Sequence, residues 1–166
     1  MQRIVAIALV GMGIVGCNSI VGIHQPLEDA SAAPAPQGGF DTNRFVGTWQ
    51  TSTGSAVVNC PNTAPTTVQD VGTLVVTKGE SSDLVFANGN GACPLRANVT
   101  DANTATVLPG QTCVEPDNGT NFTYDFTSGT FVLKSDGTGE ARLSGTVSAE
   151  GGGSCSFEQN DPYTKS

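Results

Sequence analysis

Residues 121–127 read NFTYDFT, with an aromatic side chain at every second position and polar side chains between them. Successive side chains of a β-strand point to opposite faces, so this alternation predicts a strand with one buried face and one solvated face. Residues 139–148 repeat the alternation with smaller apolar side chains. Two half-buried strands of this kind favour an antiparallel sheet.

The same period continues along the chain from about residue 45, where Gly or Pro interrupts most windows that a helix would need. We expect tight turns at Ser128-Gly129 and Asp136-Gly137, because glycine accepts the positive φ of such turns. Regularly spaced short strands predict one all-β domain over residues 45–166, folded as an antiparallel β-barrel of about eight to ten strands or a barrel-like sandwich. Candidate strands lie at 45–51, 55–60, 70–77, 83–87, 94–100, 104–109, 121–127, 130–135, 139–148 and 154–160.

The N-terminal segment has the layout of an export signal, with Arg3 followed by apolar residues from 4 to 15. This run is shorter than the roughly 20 residues that a membrane-spanning helix needs. It ends in Ile14-Val15-Gly16-Cys17, which resembles the lipobox of bacterial lipoproteins. The resemblance implies a signal peptide at 1–16, removed by cleavage, and a diacylglyceryl group on Cys17 as the membrane anchor. The alternative is an ordinary cleaved signal with a chance cysteine.

Asn18 follows the lipobox cysteine. In Gram-negative lipoproteins Asp at this position retains the protein at the inner membrane, so the resemblance implies a lipid-anchored protein of the outer membrane, on its periplasmic or surface face. Residues 17–44 are rich in Ala, Pro and Gly and show no apolar period. They are interpreted as a flexible tether with a reach of about 30 Å.

Four further cysteines, an even number, indicate two disulfides in an exported domain: Cys60, Cys93, Cys113 and Cys155. A hairpin near residues 101–103 would place Cys93 opposite Cys113, so these two are paired. Cys60 and Cys155 then pair by elimination, which fits first and last strands that meet antiparallel. A zinc site is the alternative, but the chain lacks the CxxC pairs that zinc sites and redox sites use.

Composition and charge exclude several functions. The formal net charge is −8, and the basic residues are scattered singly, so there is no patch to neutralise phosphates and nucleic acid is not expected as a partner. The sole histidine, His24, lies in the tether, which argues against Ser-His-Asp or Cys-His hydrolysis. We therefore expect no cofactor and a monomer.

Acidic residues leave two other chemistries to consider. Asp125 could approach Glu115, Asp117 or Asp136 as the carboxylate pair of a hydrolase, although acidic residues on β-strands mostly face water. The glycine-containing loops at 117–121 and 136–140 carry oxygen ligands suited to calcium, but they match no calcium-binding motif and are interpreted as turns. We predict no enzyme, no catalytic residues and no metal site.

Gly47-Thr48-Trp49, on the first predicted strand, resembles the GxW signature of lipocalins and related calycin barrels. The resemblance implies a ligand-holding cup with Trp49 closing one end. The alternative is that Trp49 is simply a large core residue. An arginine that stacks on this tryptophan is not evident, since Arg142 falls one strand too early.

Two hypotheses for the function follow. In the first, the barrel captures a small apolar or amphipathic ligand, with Trp49, Phe122, Tyr124, Phe126 and Phe131 as its wall. In the second, the core is filled and the protein is an envelope component that contacts protein or polysaccharide through its loops. Small eight-stranded barrels are found in both states, so an apolar cavity of a few hundred Å³ would favour the first.

Overall fold

The computed structural model describes residues 39–117, 119–134 and 137–166. The export signal, Cys17, Asn18 and Asp136 lie outside these ranges, as does all of the tether before Gly39. For Asp117 only the backbone is described.

The described chain forms a short 3₁₀ helix and nine antiparallel strands, confirming the all-β prediction. The helix covers Thr42–Arg44. The strands are β1 (Gly47–Asn59), β2 (Thr66–Lys78), β3 (Leu84–Asn88), β4 (Leu95–Val99), β5 (Thr104–Val107), β6 (Gln111–Asp117), β7 (Thr120–Leu133), β8 (Thr138–Ala149) and β9 (Ser154–Lys165).

The sheet closes into a barrel. Its strand order is β5-β4-β3-β2-β1-β9-β8-β7-β6, and β5 also pairs with β7. β5 lies against the second half of β7, with Ala105 opposite Phe131, and β6 lies against the first half, with Gln111 opposite Phe126. Because β5 and β6 lie end to end, the nine strands fill eight positions around the ring.

One end of the barrel, which we call the closed end, is packed solid. Phe45, Trp49 and Phe131 are almost completely buried there, together with aliphatic residues of β2, β3 and β4. The 3₁₀ helix lies across this end, where Arg44 Nη1 donates to Ala102 O at 2.6 Å and to Asn103 Oδ1 at 2.9 Å. These contacts join the start of the domain to the β4–β5 turn.

Two predicted breaks between strands do not occur, because the chain passes each of them through a bulge, and one strand, β6, was not predicted. The Ser128-Gly129 turn does not form, and β7 runs through it with a register shift between Phe126 and Ser128. Gly129 is buried where a Cβ would collide with Leu143 and Val107, so close packing explains the glycine. The predicted strands 45–51 and 55–60 likewise merge into one strand, β1 (Gly47–Asn59), with a register shift between Thr51 and Gly54.

The expected turn glycine at Gly137 is confirmed by its φ of 77° between β7 and β8.

Both predicted disulfides are present. Cys60 and Cys155 join neighbouring strand ends at a Cα separation of 4.3 Å, and the β1–β9 ladder is antiparallel as expected. Cys93 and Cys113 are 5.1 Å apart at Cα and connect the β3–β4 loop to β6. Both bonds lie at the end of the barrel opposite the closed end, which we call the mouth.

Candidate ligand-binding cavity

A cavity of about 540 Å³ occupies the mouth half of the barrel. Its floor is formed by Phe131, Ala141 and Tyr163. At the mouth its lining includes the exposed residues Asn90 and Gly153, so the cavity opens there. The lining is mainly apolar, which is the usual character of sites for small apolar ligands.

Four predicted wall residues line this cavity: Phe122, Tyr124, Phe126 and Phe131. The three from the first half of β7 share the inward face that the alternation predicts. Phe157 of β9 joins them, with its ring 5.9 Å from that of Tyr124 and 5.7 Å from that of Phe126, both in edge-to-face geometry. These rings form an aromatic wall on the β7–β9 side of the cavity.

Trp49, the fifth predicted wall residue, lies in the core of the closed end and not in the cavity wall. It is 1% exposed, its ring centroid lies 5.1 Å from that of Phe131, and its indole N–H donates to Phe45 O at 2.9 Å. Phe131 lies between Trp49 and the cavity, so a ligand would contact the ring of Phe131 and not the indole. Trp49 is therefore a large core residue, as in the alternative interpretation of the GxW stretch.

The cation over Trp49 is Lys165, at the end of β9. Its Nζ lies 5.2 Å from the indole centroid and donates to Arg44 O at 3.0 Å. Arg142, the residue considered from sequence, points outward and pairs with Glu140. Sequence reasoning missed Lys165 because it looked for arginine alone.

A polar network interrupts the apolar wall on the β2–β9 side. Gln159 donates through Nε2 to Asp70 Oδ2 at 2.7 Å and to Asp161 Oδ2. The hydroxyl of Tyr163 donates to the same Asp161 oxygen at 3.4 Å. Asp70, Gln159 and Tyr163 line the cavity, while Asp161 lies behind them with 0% exposure.

Gly54 makes this arrangement possible. It lies on β1, between β2 and β9, and pairs with Asp70. A Cβ at this position would overlap the Asp161 carboxyl group. The missing side chain therefore opens the space in which a carboxyl group from β9 reaches across β1 towards one from β2.

Burial dominates the electrostatics of the network. Burial, followed by the nearby negative charge of Asp70, raises the pKa of Asp161 to about 7. Burial, followed by the charges of the two aspartates, also raises the pKa of Tyr163, so its hydroxyl stays protonated and acts as a donor. Near neutral pH the aspartate pair thus changes its charge.

The wall between β4 and β6 is closed by side chains. The Gln111 amide accepts from Arg96 N at 2.7 Å and donates to Arg96 O at 2.9 Å, in place of a backbone partner. Nearer the mouth stand the Cys93–Cys113 disulfide and a hydrogen bond from Asn88 to Glu115. Burial raises the pKa of Glu115.

Of the carboxylates considered from sequence, Asp125 and Glu115 do not come together, while Asp136 and the side chain of Asp117 lie outside the described residues. Asp125 is exposed on the outer face and accepts from the Thr112 hydroxyl at 2.6 Å, whereas Glu115 faces the cavity. The inward pair, Asp70 and Asp161, was missed. The pair could have been suspected from the sequence of β9, where Asp161 takes one of the alternate positions that face inward, together with Phe157, Gln159 and Tyr163.

Two searches of the described residues gave negative results. No group of three or more His, Cys, Asp and Glu side chains in this part of the chain is arranged to hold a metal ion. Within the same residues, none of the helices has the length and apolar character needed to traverse a bilayer.

Comparison of the chain with protein-family models, with curated proteins and with solved structures found no match.

Proposed function

We propose that this protein is an exported lipoprotein, anchored at the outer membrane through Cys17, whose barrel binds a small apolar or amphipathic molecule. The observation that carries the proposal is the cavity of about 540 Å³ lined by Phe122, Tyr124 and Phe126. Pockets of roughly 300–1,000 Å³ with mainly apolar walls are typical of small-molecule sites. Filling this space with water alone would leave aromatic surface without packing partners.

The architecture of the two ends supports this function. The closed end is stabilised by packing, and the mouth is braced by two disulfides, so the cavity between them does not depend on a ligand to hold its walls apart. Trp49 of the GxW stretch lies in the closed end with Lys165 over its ring, a cation at the place where the resemblance to lipocalins and calycin barrels implies an arginine.

Uptake of a neutral fluorescent hydrocarbon, diphenylhexatriene, tests the proposal. The full chain carrying Cys17→Ser is the protein to use, because acyl chains and detergent would take up the same probe. We expect saturable fluorescence with about one probe per protein. Ala56→Trp, which places an indole in the cavity, is expected to weaken uptake about tenfold or more, since it occupies the space the probe needs.

Val71→Trp is the matched control, because Val71 lies on β2 with its side chain 56% exposed on the outer face. It should leave uptake unchanged. Absence of saturable uptake, or equal effects of the two tryptophans, would favour the envelope component with a filled core. The anchor has its own test, since Cys17→Ser should move the protein from the membrane fraction to the soluble fraction.

A further inference from the structure

The charged residues that line the cavity are acidic. Asp70 stands on β2 and Glu115 on β6, and none of the described lining residues is Lys, Arg or His. An anionic ligand such as a fatty acid would therefore meet repulsion with no compensating partner. A ligand with a positive charge would meet two carboxylates.

Glu115 and Asp70 differ in the hydrogen-bond donors available to their carboxyl groups. Glu115, near the mouth, accepts from Asn88 across the β3–β6 gap. Asp70 lies further down the wall, where it and Asp161 share one donor, the Gln159 amide. The negative charge of Asp70 also raises the pKa of Asp161, so the two carboxyl groups disfavour being ionised together.

Asp161 is the observation that points to an occupant. Its side chain has an inward position on β9 and is 0% exposed, and its Oδ1 has no hydrogen-bond partner within the described structure. A buried carboxyl oxygen without a donor is costly, and a facing pair of carboxyl groups is satisfied either by a proton between them or by a cation. An ammonium group carries three N–H donors and can donate to Asp70, the member of the pair that lines the cavity.

The opposite wall suits the rest of such a molecule. In the eight-position ring, β7 lies across from β2, so the aromatic side chains of β7 face the side that carries Asp70. Aromatic faces attract cations and pack against apolar chains. The cavity thus has Asp70 facing the aromatic side chains of β7, whereas Glu115 lies on the aromatic side, opposite Phe122 in the β6–β7 ladder.

We propose that the ligand is an apolar molecule bearing a protonated amine, whose ammonium group binds at Asp70, with Asp161 buried directly behind it. This inference rests on the proposed function, since it names the class of molecule that enters the cavity. Bound ammonium takes the place of the proton shared by the two carboxyl groups, while the hydrocarbon part contacts Phe122, Tyr124 and Phe126.

Three probes of equal chain length separate the head groups: dodecylamine, dodecanol and dodecanoate. Each is used below its critical micelle concentration to displace diphenylhexatriene from the Cys17→Ser chain at pH 8. We expect dodecylamine to bind about tenfold or more tightly than dodecanol, and dodecanoate to bind most weakly. Equal affinities of amine and alcohol would overturn the inference while leaving the proposed function intact. Failure of diphenylhexatriene itself to bind would overturn the proposed function first.

Asp70→Asn is the decisive variant. It should reduce dodecylamine affinity to about that of dodecanol without changing dodecanol affinity, which also reports that the barrel is folded. Glu158→Gln is the matched control, because it removes one negative charge from an exposed position on the outer face of β9. Equal losses in the two variants, or a loss in Glu115→Gln in place of Asp70→Asn, would contradict the assigned site.

The dependence on pH provides a second readout. The polar groups around Asp161 are Asp70 on β2 and Gln159 and Tyr163 on β9. The neighbours on β1 and β8 are uncharged: Gly54, and Ala141, which is the ladder partner of Asp161. Between pH 5 and pH 8 the carboxyl pair loses its proton, whereas alkyl ammonium groups titrate near 10 as lysine does. Dodecylamine affinity should therefore rise severalfold over this range and dodecanol affinity should stay level. A level amine affinity would contradict the exchange of proton for ammonium.

Discussion

The two halves of the barrel are built from the same strands but are held together differently. At the closed end β5 pairs with β4 and β7, and large side chains such as Trp49 and Phe131 fill the interior. Towards the mouth, no ladder joins β4 to β6 in the described chain, and the gap is closed by side chains and by Cys93–Cys113. Stability therefore comes from packing in one half, and from covalent and polar bonds in the half that keeps space free.

The largest expected effect is on the closed end. Trp49→Ala should lower the free energy of unfolding by about 4 kcal/mol, because it leaves a cavity beneath Phe131 and removes the indole hydrogen bond to Phe45. Phe122→Ala, at the half-buried mouth end of β7, should cost only about 1 kcal/mol. Urea denaturation of both variants measures the difference, and similar costs would contradict the division into two halves.

Removing the Cys93–Cys113 disulfide tests the mouth. The double variant Cys93→Ser and Cys113→Ser opens a covalent loop whose ends are 20 residues apart in sequence. Its free energy of unfolding should fall by roughly 3 kcal/mol on the loop-entropy model. Because no ladder holds β4 to β6, it should also weaken diphenylhexatriene binding while the far-ultraviolet circular dichroism stays unchanged. Unchanged binding would show that the side-chain hydrogen bonds of Gln111 suffice to keep the wall in place.

The buried aspartate pair predicts an unusual dependence of stability on pH. Burial raises the pKa of Asp161 from 3.8 to about 7, so between these values the folded state keeps a proton that the unfolded state has lost. Stability from this group is therefore full below about pH 4, falls as pH rises, and levels off above about 7. Asp161→Asn should flatten the curve by on the order of 2 kcal/mol over that range. Equal slopes for the two proteins in pH-dependent urea denaturation would contradict a buried titrating pair.

The smallest effect concerns Lys165. Lys165→Met removes the cation over Trp49 and the hydrogen bond to Arg44 O at a partly solvated site, and should cost about 1 kcal/mol. Lys78→Met, at the exposed end of β2, is the control and should have little effect. Thermal unfolding at two salt concentrations measures both, and equal losses would remove the assigned role of Lys165.

Alternation of side chains was sufficient to predict most strands and the cavity-facing residues of β7. The Cys60–Cys155 pair follows from antiparallel first and last strands. The Cys93–Cys113 pair is correct, but the hairpin from which it was predicted contains neither cysteine, since Cys93 precedes β4 and Cys113 lies on β6. Alternation fails at bulges, because one extra residue shifts the period without a break in the strand. In the sequence, Ser128-Gly129 looks the same as a turn dipeptide. Only the packing of Gly129 against Leu143 in the structure shows that this glycine lies within a strand.

The end of β9 and the acidic pair escaped prediction for related reasons. The last strand was predicted to end at residue 160, yet β9 continues to Lys165. Pro162 is tolerated within it because it lies opposite the β1 bulge, where the β1–β9 ladder is interrupted. The bulge is also the region where Asp161 reaches over Gly54. Nothing in the spacing of Asp70 and Asp161, on strands far apart in the chain, indicates that they meet.

The direction in which the chain joins the barrel has a consequence for access. The 3₁₀ helix and the last residue, whose N–H donates to Thr48 O, both lie at the closed end, so residue 39 is connected to the side away from the opening. Under the proposed lipid anchor, the tether would leave the barrel on the side away from the opening, and its flexibility would let the barrel turn relative to the bilayer. The loops at 60–65, 89–94 and 150–153 would then stay clear of the attachment, and a ligand would enter between them.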